Sequence, residues 1–462
     1  MRGVIRYTPC PVPTIRASGA SPLRLLVGSF LALILSGTLL LELPFATPPD
    51  QPISLTDALF TATSATCVTG LVVRDTGTGF TLFGQVVIAL LIQLGGLGIM
   101  TFSLLFFFLI RGKVSLAHRS IIEQTLSGRA GEELLPLIRL VFRFTLISEG
   151  AGALLLWIRW WGDLGPGRAA WYAVFHSISG FCNAGFALWP DSLTRYRGDP
   201  LVNLVMMALI VLGGLGFLVV YDVWQAPRKG GRISIHTKLA LVVSALLIAG
   251  GALGFWLLEW NGSLANVPPG EQLWASFFQA VTTRTAGFNT VPIASLSPGA
   301  LFLMTLLMFI GGSPGSCAGG IKTTTLAVLA LASWSRVRGR AHVNVFRRTL
   351  SAGTVRDTLS IALAGALVVV AGLFALLLLE SPDRMVREDQ GVFLGYLFET
   401  VSALGTVGLS TGVTSMLLVP SRWLVAFLMF LGRLGPLTVA SAVASTEPLD
   451  DWSYPEEDVM VG

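Results

Sequence analysis

Four stretches of this 462-residue chain share one pattern: FTATSATCVTGL at 60–71, FHSISGFCNAGF at 175–186, FFQAVTTRTAGF at 277–288 and FETVSALGTVGL at 398–409. In each stretch a phenylalanine precedes a glycine by ten residues, and a leucine or phenylalanine follows that glycine. Glycines that only permit close packing of membrane helices have no reason to keep a fixed distance from an aromatic residue four times. The pattern therefore indicates a fourfold internal repeat.

The composition around these stretches is that of an integral membrane protein. Hydrophobic types make up 53% of the residues and charged types 12%, whereas soluble domains carry about 25% charged residues. Apolar runs long enough to cross about 30 Å of hydrocarbon lie near 23–43, 82–110, 135–161, 201–224, 237–260, 299–334, 356–379 and 421–445. Four shorter apolar runs, which we expect to form re-entrant half-helices, lie between successive spans at 55–66, 170–180, 272–283 and 392–403.

The predicted fold class is an all-α integral membrane protein with eight transmembrane helices and four re-entrant pore helices, in four pseudo-symmetric repeats around one central pore. Each repeat consists of an outer helix, a half-helix, a glycine turn and an inner helix. The repeats cover approximately 20–113, 133–230, 236–340 and 354–446 of a single domain, 1–462, and residues 447–462 form a C-terminal tail.

The chemistry of such a repeat suits the passage of cations. A half-helix that stops inside the membrane aims the negative end of its dipole at the central axis. Irregular backbone after it is tolerated at that depth only where it lines a cavity or is buried in protein. Glycine permits the required dihedral angles and close approach, and rings of backbone carbonyls replace the hydration shell of K⁺ in selective pores.

The distribution of basic residues predicts the orientation. With eight spans both termini lie on one side, where Lys and Arg residues are concentrated, as in Arg111–Arg129 and Arg336–Arg348. This bias marks the cytoplasmic side, so we expect a multi-pass protein of the plasma membrane with cytoplasmic termini. The first apolar run is a full span without a small-residue cleavage site, which predicts a helix and not a signal peptide. The net charge of +5 forms no continuous basic face, so no nucleic-acid partner is expected.

The inner helices carry a second repeated motif. Residues 94–98 and 212–216 both read LGGLG, 310–315 reads IGGSPG and 431–436 reads LGRLGP. In the third motif the glycines and proline of Gly311–Gly320 are too dense for an unbroken helix. We therefore expect this segment to unwind beneath the repeat glycines.

Arg433 replaces the second glycine of the motif in the fourth inner helix. An arginine at bilayer depth is by default a functional hypothesis, and its expected partner is the unwound segment Gly311–Gly320. The alternative is a simple kink in the third inner helix, with Arg433 in an ion pair that packs the bundle.

Enzymatic classes lack a matching set of residues. Gly315–Thr323 reads GSCAGGIKT, but Ile321 interrupts the GxxxxGK[ST] spacing and no βαβ unit surrounds it, so nucleotide binding is not expected. The cysteines at 10, 67, 182 and 317 form no disulfide framework, and no two histidines stand at metal-ligand spacing. We therefore predict neither an enzyme nor a cofactor-binding protein.

Several single residues keep more than one interpretation. Cys67 and Cys182 stand three residues before a repeat glycine and fill small-residue positions behind it, while any further role stays open. Asp57 and Glu399 lie on half-helices, where they either attract cations or cap and hydrogen-bond.

The four repeat stretches, together with GGSPGSCAGGIKTTT and GRLGPLT, resemble the Trk/Ktr/HKT superfamily of potassium transporters. The resemblance runs from the first span to the C-terminus and is strongest to the bacterial Ktr-type membrane subunit, in the TrkH family. It implies K⁺ as the transported ion, a homodimer, and a cytosolic nucleotide-binding regulatory ring of the RCK/KTN type as partner. Na⁺-coupled or Na⁺-translocating transport stays an alternative, as do a membrane subunit of an energy-coupling complex and a structural anchor.

The same resemblance assigns functional residues position by position. Filter residues, which bind K⁺ through backbone carbonyls, are Val68, Thr69, Gly70, Asn183, Ala184, Gly185, Thr285, Ala286, Gly287, Thr406, Val407 and Gly408. Gate residues are Gly311, Gly312, Ser313, Pro314, Gly315, Ser316, Gly319, Gly320, Lys322 and Arg433. Arg284 occupies a position where the family usually carries an arginine, which implies packing behind the filter.

Overall fold

The computed structural model describes residues 22–111, 134–231, 233–384 and 392–435. The predicted tail 447–462, the N-terminal Arg2, Arg6 and Arg16 and the basic loop after Arg111 lie outside the described residues. The described chain is almost wholly helical, and its β-structure apart from one isolated bridge is the pair β1 (Asn344–Val345) and β2 (Arg348–Thr349).

The helices of the described residues follow the same order in each of the four repeats: a long helix, a short helix and then a helix that begins after a loop. They are α1 (Pro22–Leu41), α2 (Leu55–Thr66), α3 (Thr76–Gly79), α4 (Leu82–Arg111), α5 (Leu134–Leu164), α6 (Pro166–Phe181), α7 (Pro200–Leu215), α8 (Phe217–Gln225), α9 (Ile235–Glu259), α10 (Pro269–Thr282), α11 (Pro298–Phe309), α12 (Thr323–Val337), α13 (Ala352–Arg384), α14 (Val392–Gly405) and α15 (Val419–Leu434). Short 3₁₀ turns lie at Thr194–Tyr196, Ala226–Lys229, Ile293–Ser295 and Thr414–Met416.

Four of these helices are individually long and apolar enough to cross a membrane within the described ranges. Their qualifying parts are Arg24–Leu41, Ile138–Leu164, Ile235–Glu259 and Ala352–Glu380, and the bent pair α7–α8 makes up to five. The outward faces of α13 are apolar and solvent-accessible, as at Val370, which is 65% exposed. Such a surface is expected to contact lipid, and the chain is thus of the all-helical membrane class.

Two predicted spans are not continuous helices. The bend within 201–224 was not predicted, whereas the break within 299–334 agrees with the unwinding expected at Gly311–Gly320. The first is bent by 93° between α7 and α8, because Gly216 adopts a φ of +84° that only glycine takes readily. The second stops at Phe309 and resumes at Thr323.

The short helices α2, α6, α10 and α14 lie inside the protein, and most of their side chains are buried. Pro166 and Pro269 begin α6 and α10, where the missing proline N–H costs nothing. Ser54 caps α2 by accepting a hydrogen bond from the Asp57 backbone N–H at 3.1 Å.

The repeat phenylalanine is buried in three of the four repeats, at Phe60, Phe175 and Phe398. In the third repeat Phe277 is 38% exposed and its neighbour Phe278 is fully buried. The third short helix is therefore rotated by one residue relative to the alignment that the sequence suggests.

Candidate filter and intramembrane segment

The chain takes one unusual backbone conformation after each short helix. A residue two places before each repeat glycine is in the left-handed region although it is not glycine: Val68 (φ +55°), Asn183 (φ +59°), Thr285 (φ +68°) and Thr406 (φ +49°). The repeat glycines also have positive φ, at +93° for Gly70, +72° for Gly185, +78° for Gly287 and +89° for Gly408. Three of these residues are β-branched, for which the left-handed region is rare and marks strain held by the surroundings, so the same conformation in all four repeats points to one functional geometry.

The four segments meet one another in a closed ring. A Cβ placed on each repeat glycine would collide with backbone of the next segment: Gly70 with the carbonyl oxygen of Ala184, Gly185 with the Cα of Gly287 at 2.8 Å, Gly287 with the carbonyl oxygen of Val407 at 2.6 Å, and Gly408 with the carbonyl oxygen of Thr69. The ring order therefore follows the chain order. Glycine is required at these positions by space as well as by backbone conformation.

Hydroxyl groups on the short helices hold the segments in place. Ser64 accepts a hydrogen bond from the Gly70 N–H at 3.1 Å, and Ser402 accepts one from the Gly408 N–H at 3.1 Å. In the other two repeats a hydroxyl donates to the carbonyl oxygen after the glycine, from Ser179 at 2.8 Å and from Thr282 at 2.6 Å. These bonds satisfy a backbone N–H or carbonyl group at or next to each repeat glycine.

Residues 310–322 form a non-helical segment between α11 and α12. The Gly311 N–H donates to the Ile321 carbonyl at 2.8 Å, which closes the segment into a loop. The Ser313 and Cys317 N–H groups donate to the Gly214 and Gly213 carbonyls of α7, at 2.9 and 3.1 Å. The bend at Gly216 accommodates this contact, since the Phe217 N–H donates to the Gly315 carbonyl at 3.1 Å.

Two cationic side chains bind carbonyl oxygens of this segment and its surroundings. Arg433, 5% exposed, donates from Nη1 to the Cys317 carbonyl and from Nη2 to the Gly95 carbonyl at 2.9 Å. Lys322 donates from Nζ to the Ala318 carbonyl at 2.6 Å. Among the described residues neither side chain forms a salt bridge to a carboxylate, so each charge is offset by backbone dipoles.

The 310–322 segment belongs to the third repeat and is linked to the other three. It binds α7 as described, Arg433 links it to α4 and α15, and a Cβ on Gly319 would collide with Thr406 of the fourth ring segment. A cavity of about 280 Å³ lies beside it and is lined by Lys322, Gly405 and Arg433, among others. The segment thus lies directly against the ring, with open space next to it.

Comparison with known proteins places this geometry in a family. The family model for TrkH, a cation transport protein, matches residues 21–453. The chain belongs to the TrkH family.

Individual relatives agree over nearly their whole length. The chain is 39% identical to the Ktr system potassium uptake protein B of Vibrio alginolyticus, covering 97% of this chain and 96% of the relative. It is 41% identical to the Ktr system potassium uptake protein B of Bacillus subtilis (strain 168), with 96% of each chain covered. It is 36% identical to the potassium/sodium uptake protein NtpJ of Enterococcus hirae, covering 96% of this chain and 97% of the relative.

A solved structure has the same fold. The crystal structure of the potassium transporter TrkH from Vibrio parahaemolyticus matches with a TM-score of 0.71, covering 94% of this chain and 86% of that one at 20% sequence identity. This likeness supports the all-helical fold of the family.

Other residues singled out from the sequence have identifiable surroundings in this family member. Arg284 is 6% exposed, and within the part of the chain that the structure describes its Nε has no hydrogen-bond partner. Cys67 is fully buried. Glu399 accepts hydrogen bonds from the Thr411 N–H at 3.1 Å and the Thr414 hydroxyl at 2.6 Å. Of the two interpretations for Glu399, the geometry favours a hydrogen-bonding role.

Asp57 forms a salt bridge with Arg422, with Oδ1 and Nη1 2.6 Å apart. The bridge joins α2 of the first repeat to the start of α15 in the fourth. The Asp57 carboxylate therefore already has a cationic partner, and the geometry favours a structural role for Asp57 over cation attraction.

A charged cluster joins the second and third repeats at the loop between α6 and α7. Arg159 binds Asp199 at 2.5 Å, and Arg197 binds Glu271 at 3.3 Å. Burial raises the pKa of Tyr196 to about 12, and the neighbouring Asp163 carboxylate adds to the shift. Ion pairs fix the loop that follows the second ring segment.

Sequence reasoning missed a polar pair behind the second ring segment. Glu149 on α5 is 7% exposed, and its Oε2 accepts a hydrogen bond from Gln93 Nε2 of α4 at 3.2 Å. In the sequence, Glu149 is the single carboxylate within the apolar run 135–161. An ionisable residue within a membrane span is by default a functional hypothesis, so the sequence did carry a signal for this pair.

Proposed function

We propose that this protein is the membrane subunit of a potassium uptake system and passes K⁺ inward across the plasma membrane. The observation that carries the proposal is the closed ring of four glycine segments. Ktr system potassium uptake protein B is the name of two relatives that match almost the whole chain, and this supports K⁺ as the transported ion.

The proposed filter is built from backbone carbonyls. Left-handed residues alternate with residues of negative φ in each ring segment, and such alternation turns successive carbonyl oxygens to one side. Carbonyl rings of this kind replace the water around K⁺. The filter residues are Val68, Thr69, Gly70, Asn183, Ala184, Gly185, Thr285, Ala286, Gly287, Thr406, Val407 and Gly408.

The architecture that goes with this filter has eight membrane crossings and four re-entrant helices. In it, α7–α8 and α11–α12 are broken inner helices, and α2, α6, α10 and α14 are the re-entrant ones. The carbonyl ends of the short helices carry the negative end of the helix dipole toward the ring, which favours a cation there.

The proposed gate is the 310–322 segment with Arg433 and Lys322. Its contact with Thr406 and its bonds to α7 support a barrier on the inner side of the filter. Gate residues are Gly311, Gly312, Ser313, Pro314, Gly315, Ser316, Gly319, Gly320, Lys322 and Arg433. The cavity of about 280 Å³ offers space into which the segment could move.

The proposed assembly follows from the family resemblance. We expect a homodimer that docks on a cytosolic nucleotide-binding ring of the RCK/KTN type through cytoplasmic loops such as Arg336–Arg348, with both termini cytoplasmic. No cofactor and no enzymatic step is part of the proposal.

A second candidate function involves sodium, because one relative is named a potassium/sodium uptake protein.

K⁺ uptake into a bacterial strain that lacks its own uptake systems tests the main proposal. Reversal potentials under opposed K⁺ and Na⁺ gradients separate a K⁺ pathway from one that also carries or couples to Na⁺. If the protein is expressed at a normal level and does not restore growth of this strain at low K⁺, the proposed function is contradicted.

A further inference from the structure

Glu149 is an ionisable group within the membrane region that the proposed filter and gate do not use. It is the middle residue of the 31-residue helix α5, so about 22 Å of helix lies on each side of it at 1.5 Å per residue. The side chain is turned into the protein and is 7% exposed. An intramembrane carboxyl group of this kind is expensive to keep unless it has a function or a partner.

No basic group pairs with this carboxyl among the described residues. Its Oε2 accepts from Gln93 Nε2 at 3.2 Å, and its Oε1 lies 3.9 Å from Cys182 Sγ. The salt bridges of the described chain do not include Glu149. A buried carboxylate without a cationic partner is strongly disfavoured, so a neutral acid or a bound cation must balance the charge.

The ligands around the carboxyl group favour a proton over a metal ion. Gln93 and Cys182 are its side-chain neighbours, and hard cations such as Ca²⁺ take six or more oxygen ligands. Within the described ranges, no cluster of three His, Cys, Asp or Glu side chains could hold a metal ion. The Gln93 amide has both a donor and an acceptor and can therefore partner the ionised or the protonated carboxyl group.

Other titratable groups near α5 do not take this role. Within residues 82–98 of α4 and in α7 there are no ionisable side chains. On α6, Arg168 donates to Tyr172, and His176 is hydrogen-bonded at both ring nitrogens, to the Tyr172 carbonyl at 2.8 Å and the Leu188 N–H at 3.3 Å. The other ionisable residues of α5 are at least six residues away from Glu149 along the helix: Arg139, Arg143, Arg159 and Asp163.

Two contacts lead from Glu149 to the proposed gate. Cys182 immediately precedes the filter residue Asn183, and its thiol contacts Glu149 and Gln93. At Gly96, a Cβ would lie 2.8 Å from Cys182 Sγ and 3.5 Å from Cys317 Sγ, so the two thiols face the same point. Cys317 belongs to the 310–322 segment and its carbonyl binds Arg433.

We propose that Glu149, with Gln93 and Cys182, is a proton-binding site whose charge state sets the rate of cation passage at the 310–322 segment. This inference rests on the proposed function. When Glu149 is protonated, only backbone carbonyls offset the positive charge of Arg433 among the described residues. Ionised, it adds a negative charge behind the filter and lowers the electrostatic barrier, so flux rises as the pH rises.

The direct test measures Rb⁺ flux into vesicles containing the purified protein, with equal pH on both sides from about pH 6 to about pH 9, the range open to buried carboxyl groups. We expect a several-fold rise in wild-type flux. Glu149→Gln should hold flux at the acidic value at every pH, and Glu149→Asp should keep a pH-dependent rise. Glu259→Gln is the matched control, because Glu259 is a buried carboxylate bonded to the Ser263 and Ser297 N–H groups, and it should behave as wild type.

A second measurement does not depend on transport. The melting temperature in detergent should fall as the pH rises, because the folded protein holds a proton on Glu149 that the unfolded chain releases. The fall should be smaller in Glu149→Gln and unchanged in Glu259→Gln. Equal pH profiles of flux and of melting temperature in Glu149→Gln and wild type would overturn the inference. Absence of K⁺ or Rb⁺ flux at any pH would instead contradict the proposed function, while the melting curves would still test the proton site.

Discussion

The guanidinium group of Arg433 donates a hydrogen bond to the carbonyl oxygen of Cys317, across 116 residues of sequence. Arg433 lies on the last helix of the described chain and Cys317 on the loop that interrupts the third inner helix. The same guanidinium binds the Gly95 carbonyl at 2.9 Å. One side chain thus fastens the proposed gate to two inner helices.

The first prediction concerns this charge. At about 5 Å and an effective dielectric constant of about 20, a positive charge opposes a passing cation by about 3 kcal/mol. Removing the whole of this barrier would raise flux about a hundredfold, and solvent screening reduces the effect, so Arg433→Gln should raise Rb⁺ flux into vesicles between several-fold and about a hundredfold, with release of the segment acting in the same direction. Arg422→Gln, at the start of the same helix, should leave flux near the wild-type value. A flux in Arg433→Gln no higher than that of Arg422→Gln would show that Arg433 only packs the bundle.

The sequence predicted features that are repeated or local. The ten-residue spacing of phenylalanine and glycine identifies all four ring segments. Each repeat glycine is required by the positive φ at its own position, which is a local property of the sequence. The glycine density of Gly311–Gly320 likewise indicates a broken helix without knowledge of its neighbours.

Features that depend on contacts between repeats could not be predicted. Phe278, and not Phe277, is buried, because the third short helix is rotated by one residue. The bend at Gly216 depends on the Gly315 carbonyl. Glu149 meets Gln93 across 56 residues of sequence, and no periodicity links two polar residues on different helices.

The second prediction concerns selectivity. Gly70 combines a φ of +93° with contact to the Ala184 carbonyl, so a side chain there displaces the ring. Gly70→Ser should reduce the K⁺ over Na⁺ permeability ratio by about tenfold, which corresponds to about 1.4 kcal/mol of discrimination. Reversal potentials measure this ratio. Gly250→Ser is the control, because no atom of the described residues lies within 4 Å of a Cβ at Gly250. Equal ratios in the two variants would rule out the filter assignment.

The third prediction concerns the Asp57–Arg422 salt bridge. The side chains are 26% and 20% exposed, and ion pairs that are partly open to solvent contribute up to about 1 kcal/mol. Asp57→Asn should lower the melting temperature slightly and leave the K⁺ concentration for half-maximal uptake unchanged. The double variant Asp57→Asn with Arg422→Gln should lose less stability than the sum of the losses in the two single variants. A marked loss of K⁺ affinity in Asp57→Asn would instead assign this carboxylate to cation attraction.

The fourth prediction concerns assembly. The ring of four segments is complete within one chain, so the proposed filter needs no second copy, whereas the family resemblance implies a dimer. We expect native mass spectrometry to detect a homodimer in mild detergent. Monomer alone, across several mild detergents that preserve Rb⁺ flux after reconstitution, would contradict this expectation.

The last prediction concerns the 310–322 segment itself. The Ser313 and Cys317 N–H groups bind α7, and Gly319 lies against Thr406. Removing part of Ser313–Ala318 therefore detaches the segment from α7 and opens space below the proposed filter. Rb⁺ flux in vesicles should rise several-fold, and the K⁺ over Na⁺ permeability ratio should stay at the wild-type value because the ring residues are unchanged. Size-exclusion chromatography and the ratio itself serve as controls for folding. If a folded deletion variant transports no faster than wild type, the segment is a structural break in the helix and the barrier lies elsewhere.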